Sequence, residues 1–263
     1  MKQYYKQNGF SLYQGNCLDV LKSLDKNSVD LIFADPPYFL SNGGISCKAG
    51  KMVSVNKGDW DKSNGFDKDY KFTLAWLAAS RRVLKGTGSI WISGTLHNIY
   101  KIGFALEKLE YDILNEISWF KPNAPPNLSC RYFAHSHETL LWARKHKKSK
   151  HKFNYSTMKN WNVKRDKINN PGKQMRSVWS IPLTPKKEKI NGGHPTQKPI
   201  ELLKRIIASS TDEGDVILDP FNGSGTTGIV SAILNRKYIG IDKKRDFLEM
   251  TKRRYKETMQ ILI

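Results

Sequence analysis

The chain's pattern predicts an α/β fold built on a doubly wound, mostly parallel sheet. Three observations carry that expectation: short branched apolar runs that stop at an acidic residue, helical runs between them, and a glycine-rich strand-to-helix turn late in the chain. The 263 residues, 39% of them hydrophobic, can bury one substantial core near the upper size of a single domain. One domain spanning 1–263 is expected, with an inserted region at 121–191 and a flexible loop at 41–64.

Residues 28–34 (SVDLIFA) read as a buried parallel strand, because a short run of branched and aromatic residues stops at Asp35 and two prolines. Asp35 therefore lies at a strand's carboxyl end. Residues 71–84 place Phe72, Leu74, Trp76, Leu77, Val83 and Leu84 at helical spacing, closed by Lys85-Gly86, and 89–92 are again strand-like. A helix is expected over 96–109 and strands over 111–120 and 139–143, flanking the proline-rich corner 122–126. The alternation lapses over 144–191, as in an irregular insertion that serves recognition. It resumes with a helix at 200–208, a strand at 216–218 ending at Asp219, a helix at 226–234, a strand at 238–241 ending at Asp242, and a last helix at 245–259. Ligands of such a sheet sit outside the carboxyl ends of its strands.

The formal charge of +20 and pI near 9.8 favour a polyanionic partner through counterion release. Residues 144–187 hold fourteen Lys/Arg against Asp166 alone, and so carry +13 of that charge, with Phe153, Tyr155, Trp161 and Trp179 interleaved. Basic residues among stacking side chains suit nucleic acid; a solvated lysine-rich loop is the plainer alternative. Cys17, Cys47 and Cys130 form no CxxC pair, which argues against disulfides and zinc, and no metal site is expected. No leader-like or membrane-length apolar run is visible, so a cytoplasmic protein is expected.

Between strand and helix, Asp219-Pro220-Phe221-Asn222-Gly223-Ser224-Gly225-Thr226-Thr227-Gly228 contains G-x-G-x-x-G, and Asp242 ends the next strand nineteen residues after Gly223. A carboxylate there can accept both ribose hydroxyls of a nucleoside. A dinucleotide dehydrogenase is the rival reading. Two facts oppose it: only twenty-one residues follow Asp242, and the Asp-Pro-Phe lead-in suits an ammonium and an adenine better than a pyrophosphate. S-adenosylmethionine carries those groups and no phosphate.

Asp35-Pro36-Pro37-Tyr38 fits the second substrate of such a donor. An adenine N6 lone pair is delocalised into the ring, so it becomes nucleophilic only as hydrogen-bond acceptors pull on its protons. The Asp35 carboxylate and Pro36 carbonyl can supply those acceptors. The prolines stiffen the turn, and Tyr38 can stack on a base flipped from the duplex. An acidic strand end followed by a proline turn is the plainer alternative.

On these motifs the sequence resembles the beta-class amino methyltransferases of bacterial restriction–modification systems, in which the catalytic tetrapeptide precedes the target-recognition region and the cofactor loop comes last. The likeness spans nearly the whole chain and includes residues 39–44 (FLSNGG), 57–60 (KGDW), 91–94 (WISG), 127–133 (NLSCRYF) and 194–199 (HPTQKP). It is nearest to the companion adenine methyltransferases of GATC systems, some of which accept single-stranded DNA. The resemblance implies a single methyltransferase catalytic domain with an S-adenosylmethionine-dependent fold, transferring methyl groups to N6 of adenine in DNA within GATC. It places Asp35, Pro36, Pro37 and Tyr38 in catalysis, with Asp35 also among the cofactor-binding residues. Asp219, Phe221, Gly223, Ser224, Gly225 and Thr226 fall around the cofactor's methionine end, with Asp242 on the ribose. Asn16 and Cys17 fall near its adenine, Asn16 standing where many relatives have Asp. Thr196 and Lys198 close over the methionine moiety, with Lys198 paired to its carboxylate. Gly43, Gly44, Gly50 and Gly58 suggest a flap that orders on DNA. Double- or single-stranded DNA is the expected partner, a homodimer stays open, and no membrane is involved.

C5-cytosine methylation is disfavoured, because Asn16, Ser46 and Ser129, rather than proline, precede the three cysteines. N4-cytosine transfer uses the same chemistry and commonly carries Ser in place of Asp35. A non-catalytic nucleic-acid-binding module explains the charge but neither strand-end motif.

Overall fold

The computed structural model describes residues 2–39, 45–48, 51–54, 61–162, 166, 168–189 and 196–262, with the backbone alone at 45–48, 51–54 and 262. In chain order the elements are β1 (Lys2–Gln7), β2 (Phe10–Gln14), α1 (Cys17–Ser23), β3 (Val29–Ala34), β4 (Ile45–Lys48), β5 (Lys51–Ser54), α2 (Phe66–Val83), β6 (Leu84–Gly94), α3 (Ile99–Lys108), β7 (Asp112–Phe120), β8 (His137–Arg144), α4 (Tyr155–Lys159), β9 (Val178–Ser180), α5 (Ile200–Ser210), β10 (Val216–Asp219), α6 (Thr226–Ile233), β11 (Lys237–Asp242) and α7 (Arg245–Leu262).

Nine strands form one sheet in the order β1-β2-β11-β10-β3-β6-β8-β7-β9. The run from β2 to β6 is parallel, while β1–β2, β6–β8 and β8–β7 are antiparallel and β7–β9 is parallel. The mostly parallel, doubly wound expectation holds. Strands buried on both faces need no alternation of polar residues, which is why VDLIFA reads as a continuous apolar run. One face packs α1, α2 and α3 through Val20, Trp76, Leu77, Ile102 and Leu106. The other packs α5, α6 and α7 through Leu203, Ile206, Val230, Leu248 and Tyr255. No helix among the described residues is long and apolar enough to cross a membrane.

Several boundaries differ from the sequence expectation. Helix α2 starts at Phe66 rather than near 71, with Asp67 and Asp69 in its first turn, where acidic groups favour the helix dipole. Lys85-Gly86 does not close that helix into a loop but lies inside β6, whose Leu84 already pairs with Val29. The β1–β2 hairpin, absent from the sequence reading, is polar along its exposed edge. It is recognisable only by rings that meet distant partners: Phe10 stacks on Tyr255 at 4.0 Å between centroids. Between 41 and 64, β4 and β5 pair as an antiparallel hairpin, whereas Gly43, Gly44, Gly50, Gly58 and the motif at 57–60 lie outside the described residues.

The basic insertion is less uniform than its composition implies. Trp179 is 4% exposed and belongs to the core beside Trp91, and Asp166 forms a 2.7 Å ion pair with Arg205, both buried. Arg144 pairs with Asp112, and Lys152 with Asp212 and Asp215. Because β8 runs against β6, Thr139 faces Gly94 while Arg144 faces Ser89. The exposed Lys147, Lys148 and Lys150 therefore stand at the sheet end away from the carboxyl ends of the parallel strands. The corner after β7, with Tyr132 and the 96% exposed Phe133, stands at the near end, since Phe120 pairs with His137.

Candidate active site

Strands β3 and β10 lie side by side, Leu31 and Ile32 pairing with Ile217 and Leu218. Chain order proceeds outward from this pair in both directions, to β6 one way and β11 the other, so the two strands flank a topological switch point. Asp35 follows β3, Asp219 ends β10 and Asp242 ends β11. A cavity of about 580 Å³ opens at these ends, within the usual range for small-molecule sites. It is lined by Cys17, Asp35, Thr196, Lys198, Asp219, Phe221, Gly223, Ser224, Thr226 and Asp242, and also by Pro37, Phe39 and Phe247. Asn16, Pro36, Tyr38 and Gly225 are not among the lining residues.

The glycine loop is held by its own carboxylates. Asp219 accepts from Phe221 N at 3.0 Å and from the Thr227 hydroxyl at 2.6 Å, while Asp242 accepts from Gly223 N at 2.9 Å and Lys244 N at 2.8 Å. Burial pushes both carboxyls up, Asp219 to about 7 and Asp242 to about 6. Among the described residues no ion pair reaches Asp219, and a buried carboxylate so placed is costly, so a cationic ligand is its natural complement. Phe221 stands edge-on to Trp76 at 5.3 Å and gives the cavity an aromatic wall. The loop feeds the amino end of α6 at Thr226, a favourable place for a carboxylate. These features fit the ammonium, ribose, adenine and carboxylate of S-adenosylmethionine.

Two expected cofactor residues, Gly225 and Asn16, have structural roles instead of lining the cavity. Gly225 adopts φ +74°, and a Cβ there would lie 2.3 Å from Thr251 Cγ2, so its glycine lets the loop pack on α7. Asn16 caps α1, its Oδ1 accepting from Leu18 N at 3.1 Å. Cys17 lines the cavity as a buried thiol, pushed up by burial to about 12. From α7, Arg254 donates to Ser224 O and to the Thr226 hydroxyl, a brace invisible in the sequence.

Around Asp35 the site is a network of donors and acceptors. Lys198 Nζ donates to Asp35 Oδ2 at 2.6 Å and to the Tyr38 hydroxyl at 3.1 Å, and lies 3.5 Å from Glu138 Oε2. The Tyr38 hydroxyl donates to Asp35 Oδ1 at 2.6 Å and lies 2.9 Å from Ser93 Oγ. Lys198 thus engages Asp35 rather than standing free for the methionine carboxylate. Tyr38 is 6% exposed, with its hydroxyl held by Asp35 and Ser93. Burial pushes the Asp35 carboxyl up against the opposing pull of Lys198. Burial also works against the charge of Glu138, but Lys198 and Lys121 outweigh it and hold that carboxyl at about 2.

Asp61, missed in the sequence, fixes the tetrapeptide's exit: its Oδ1 accepts from Tyr38 N and Phe39 N, both at 2.9 Å. Phe39 sits at φ +59°, a strained angle for a side-chain-bearing residue, and its ring lines the cavity. Asn98 donates to Pro37 O at 3.3 Å. Glu138 left no local signal, because its partners lie 17 to 100 positions away.

The N6/N4 methylase profile, described as DNA methylase, matches residues 29–253. The chain is 50% identical over 264 residues to the type II methyltransferase M2.MboI of Moraxella bovis, covering 100% of this chain and 94% of that one. It is 52% identical over 254 residues to the type II methyltransferase M2.DpnII of Streptococcus pneumoniae, covering 96% and 92%. Among solved structures, an M1.HpyAVI–SAM complex superposes with a TM-score of 0.65 at 27% identity, covering 92% of this chain and 97% of that one. The cytosine-N4-specific PvuII DNA methyltransferase shares the fold, with a TM-score of 0.73 at 17% identity over 99% and 93%.

Proposed function

The chain belongs to the N6/N4 DNA methylase family, a family of S-adenosylmethionine-dependent DNA methyltransferases, and from that premise we propose that its target is N6 of adenine, within GATC, as part of a restriction–modification system. The observation that carries the adenine reading is Asp35 at the carboxyl end of β3, opening onto the same cavity as Asp219 and Asp242. Relatives 50% and 52% identical that are named type II methyltransferases support a type II setting, and the motifs shared with companion methyltransferases of GATC systems support the GATC site.

S-adenosylmethionine supplies an electrophilic methyl group on a sulfonium. The protein's residues do the rest. Asp242 receives ribose hydroxyls, Asp219 faces the ammonium, Phe221 walls the adenine, and the amino end of α6 receives the carboxylate. Asp35 and the Pro36 carbonyl would accept hydrogen bonds from the target amino group and so localise its lone pair for attack, and Asp35 would take the one proton the nitrogen loses on methylation. The +20 charge draws the duplex or a single strand to the site, with Tyr132 and Phe133 at the near rim. Either a monomer or a homodimer can present this site.

Transfer of labelled methyl from S-adenosylmethionine to oligonucleotides with and without GATC, single- and double-stranded, tests the reading. N6-methyladenine confined to GATC is expected. N4-methylcytosine as the product refutes the adenine assignment, and equal labelling without GATC refutes the site.

A further inference from the structure

A donor already held by a carboxylate oxygen shares its charge and so weakens the pull of that oxygen on an incoming amino group. Both oxygens of Asp35 are engaged: Oδ2 by Lys198 and Oδ1 by the Tyr38 hydroxyl, each at 2.6 Å. Each of these donors has a second acceptor within reach, and it is the same one. Glu138 Oε2 lies 3.5 Å from Lys198 Nζ and 3.1 Å from the Tyr38 hydroxyl, and it accepts from Ser93 Oγ at 3.2 Å. Glu138 is anchored from behind, because Lys121 donates to its other oxygen at 2.7 Å with the Trp119 ring 5.0 Å below that ammonium.

We propose that Glu138 is a positioning residue that takes over Lys198 and the Tyr38 hydroxyl as the target amino group arrives, and so frees Asp35 to accept the amino protons. The inference rests on the amino-methyltransferase reading above. A charge-assisted contact of normal length requires Lys198 Nζ to move by less than about 1 Å. Asp35 and Glu138 balance Lys198 and Lys121, so the exchange leaves the charge of the foursome unchanged. Lys198 and the Lys121 anchor together keep Glu138 ionised and ready as an acceptor.

Glu138→Gln keeps the shape and removes the charge that draws Lys198. The expected result is a kcat lowered about 30-fold, the rate equivalent of one charge-assisted hydrogen bond, with KM for S-adenosylmethionine and for DNA unchanged. Glu138→Asp, which keeps the charge at shorter reach, should lose less, about fivefold. In a double-mutant cycle with Tyr38→Phe, the cost of Glu138→Gln should shrink, because one competing donor at Asp35 is gone. A kcat for Glu138→Gln within about threefold of the parent, below the worth of one such bond, overturns the proposal. So does a loss carried by KM, or an additive cycle. If thermal melting shows that Glu138→Gln does not fold, Glu138→Asp decides alone, and a parental kcat refutes the proposal. Failure of the parent chain to methylate adenine would refute the underlying reading instead, and is scored before any variant.

Discussion

Asp61 Oδ1 receives two successive backbone amides, those of Tyr38 and Phe39, at 2.9 Å each. This carboxylate, fully buried, sits twenty-odd residues beyond the tetrapeptide it anchors and holds Phe39 at its left-handed angle. Asp61→Ala leaves both amides without that acceptor, at a cost of about 1–3 kcal/mol each if buried. The expected outcome is a lower melting temperature and a kcat reduced by at least about tenfold, since misplaced acceptors lose rate steeply. Steady-state kinetics and thermal melting check both.

Gly225 carries a different constraint. Its φ of +74° and the 2.3 Å approach of an added Cβ to Thr251 leave no room for a side chain. Gly225→Ala should destabilise the protein by about 1–3 kcal/mol and weaken S-adenosylmethionine binding, because the displaced loop carries Gly223, Ser224 and Thr226 into new positions. Calorimetric titration at a temperature where the variant stays folded separates the two effects.

Cofactor affinity should depend on pH through Asp219 and Asp242, raised by burial to about 7 and about 6. In the proposed mode of binding both serve the cofactor as carboxylates, the first toward an ammonium and the second toward ribose hydroxyls. Protonation removes that function, so affinity is full above about pH 8 and falls as pH drops through about 7 and then 6, by up to about tenfold per pH unit for each group. Isothermal titration across pH 5–8 checks the slope. Affinity that is constant over this range would show that neither carboxylate needs its charge.

The two exposed segments beside the sheet predict opposite results for DNA. Lys147, Lys148 and Lys150 stand at the end away from Asp35, whereas Tyr132 and Phe133 stand at the near end. Neutralising the three lysines together should change DNA affinity by no more than about threefold, less than their loss as phosphate contacts would cause. Replacing Tyr132 and Phe133 by Ala should weaken it about tenfold or more, in keeping with lost base stacking. Fluorescence anisotropy at fixed salt distinguishes the two.

Local patterns made half of this site legible. Asp35, Asp219 and Asp242 each follow an apolar strand and precede a turn or helix, so their places at strand ends follow from periodicity. The glycine loop announces itself by composition, although spacing alone does not distinguish Gly225, which packs on Thr251, from Gly223, which lines the cavity. What stayed hidden is carried by contacts across long separations. Glu138 meets Tyr38 across 100 positions, Lys198 meets Asp35 across 163, and Arg254 braces Ser224 across 30. Charge counting likewise joined Lys147 and Trp179 into one basic, aromatic tract, whereas the antiparallel return of β8 sends the lysines away from the site and the pairing of β9 with β7 sets the tryptophan in the core.

Methyl transfer by Asp35→Asn is the most direct measurement of the central claim. Asparagine keeps the size of the side chain and one carbonyl oxygen but loses the charge that draws amino protons. The expected result is a kcat reduced by at least about a thousandfold, the scale of losing a preorganised polar partner in a water-excluded site, with S-adenosylmethionine binding within about threefold of the parent because only contacts outside the cofactor loop change. N6-methyladenine formed at an undiminished rate by Asp35→Asn would contradict the account.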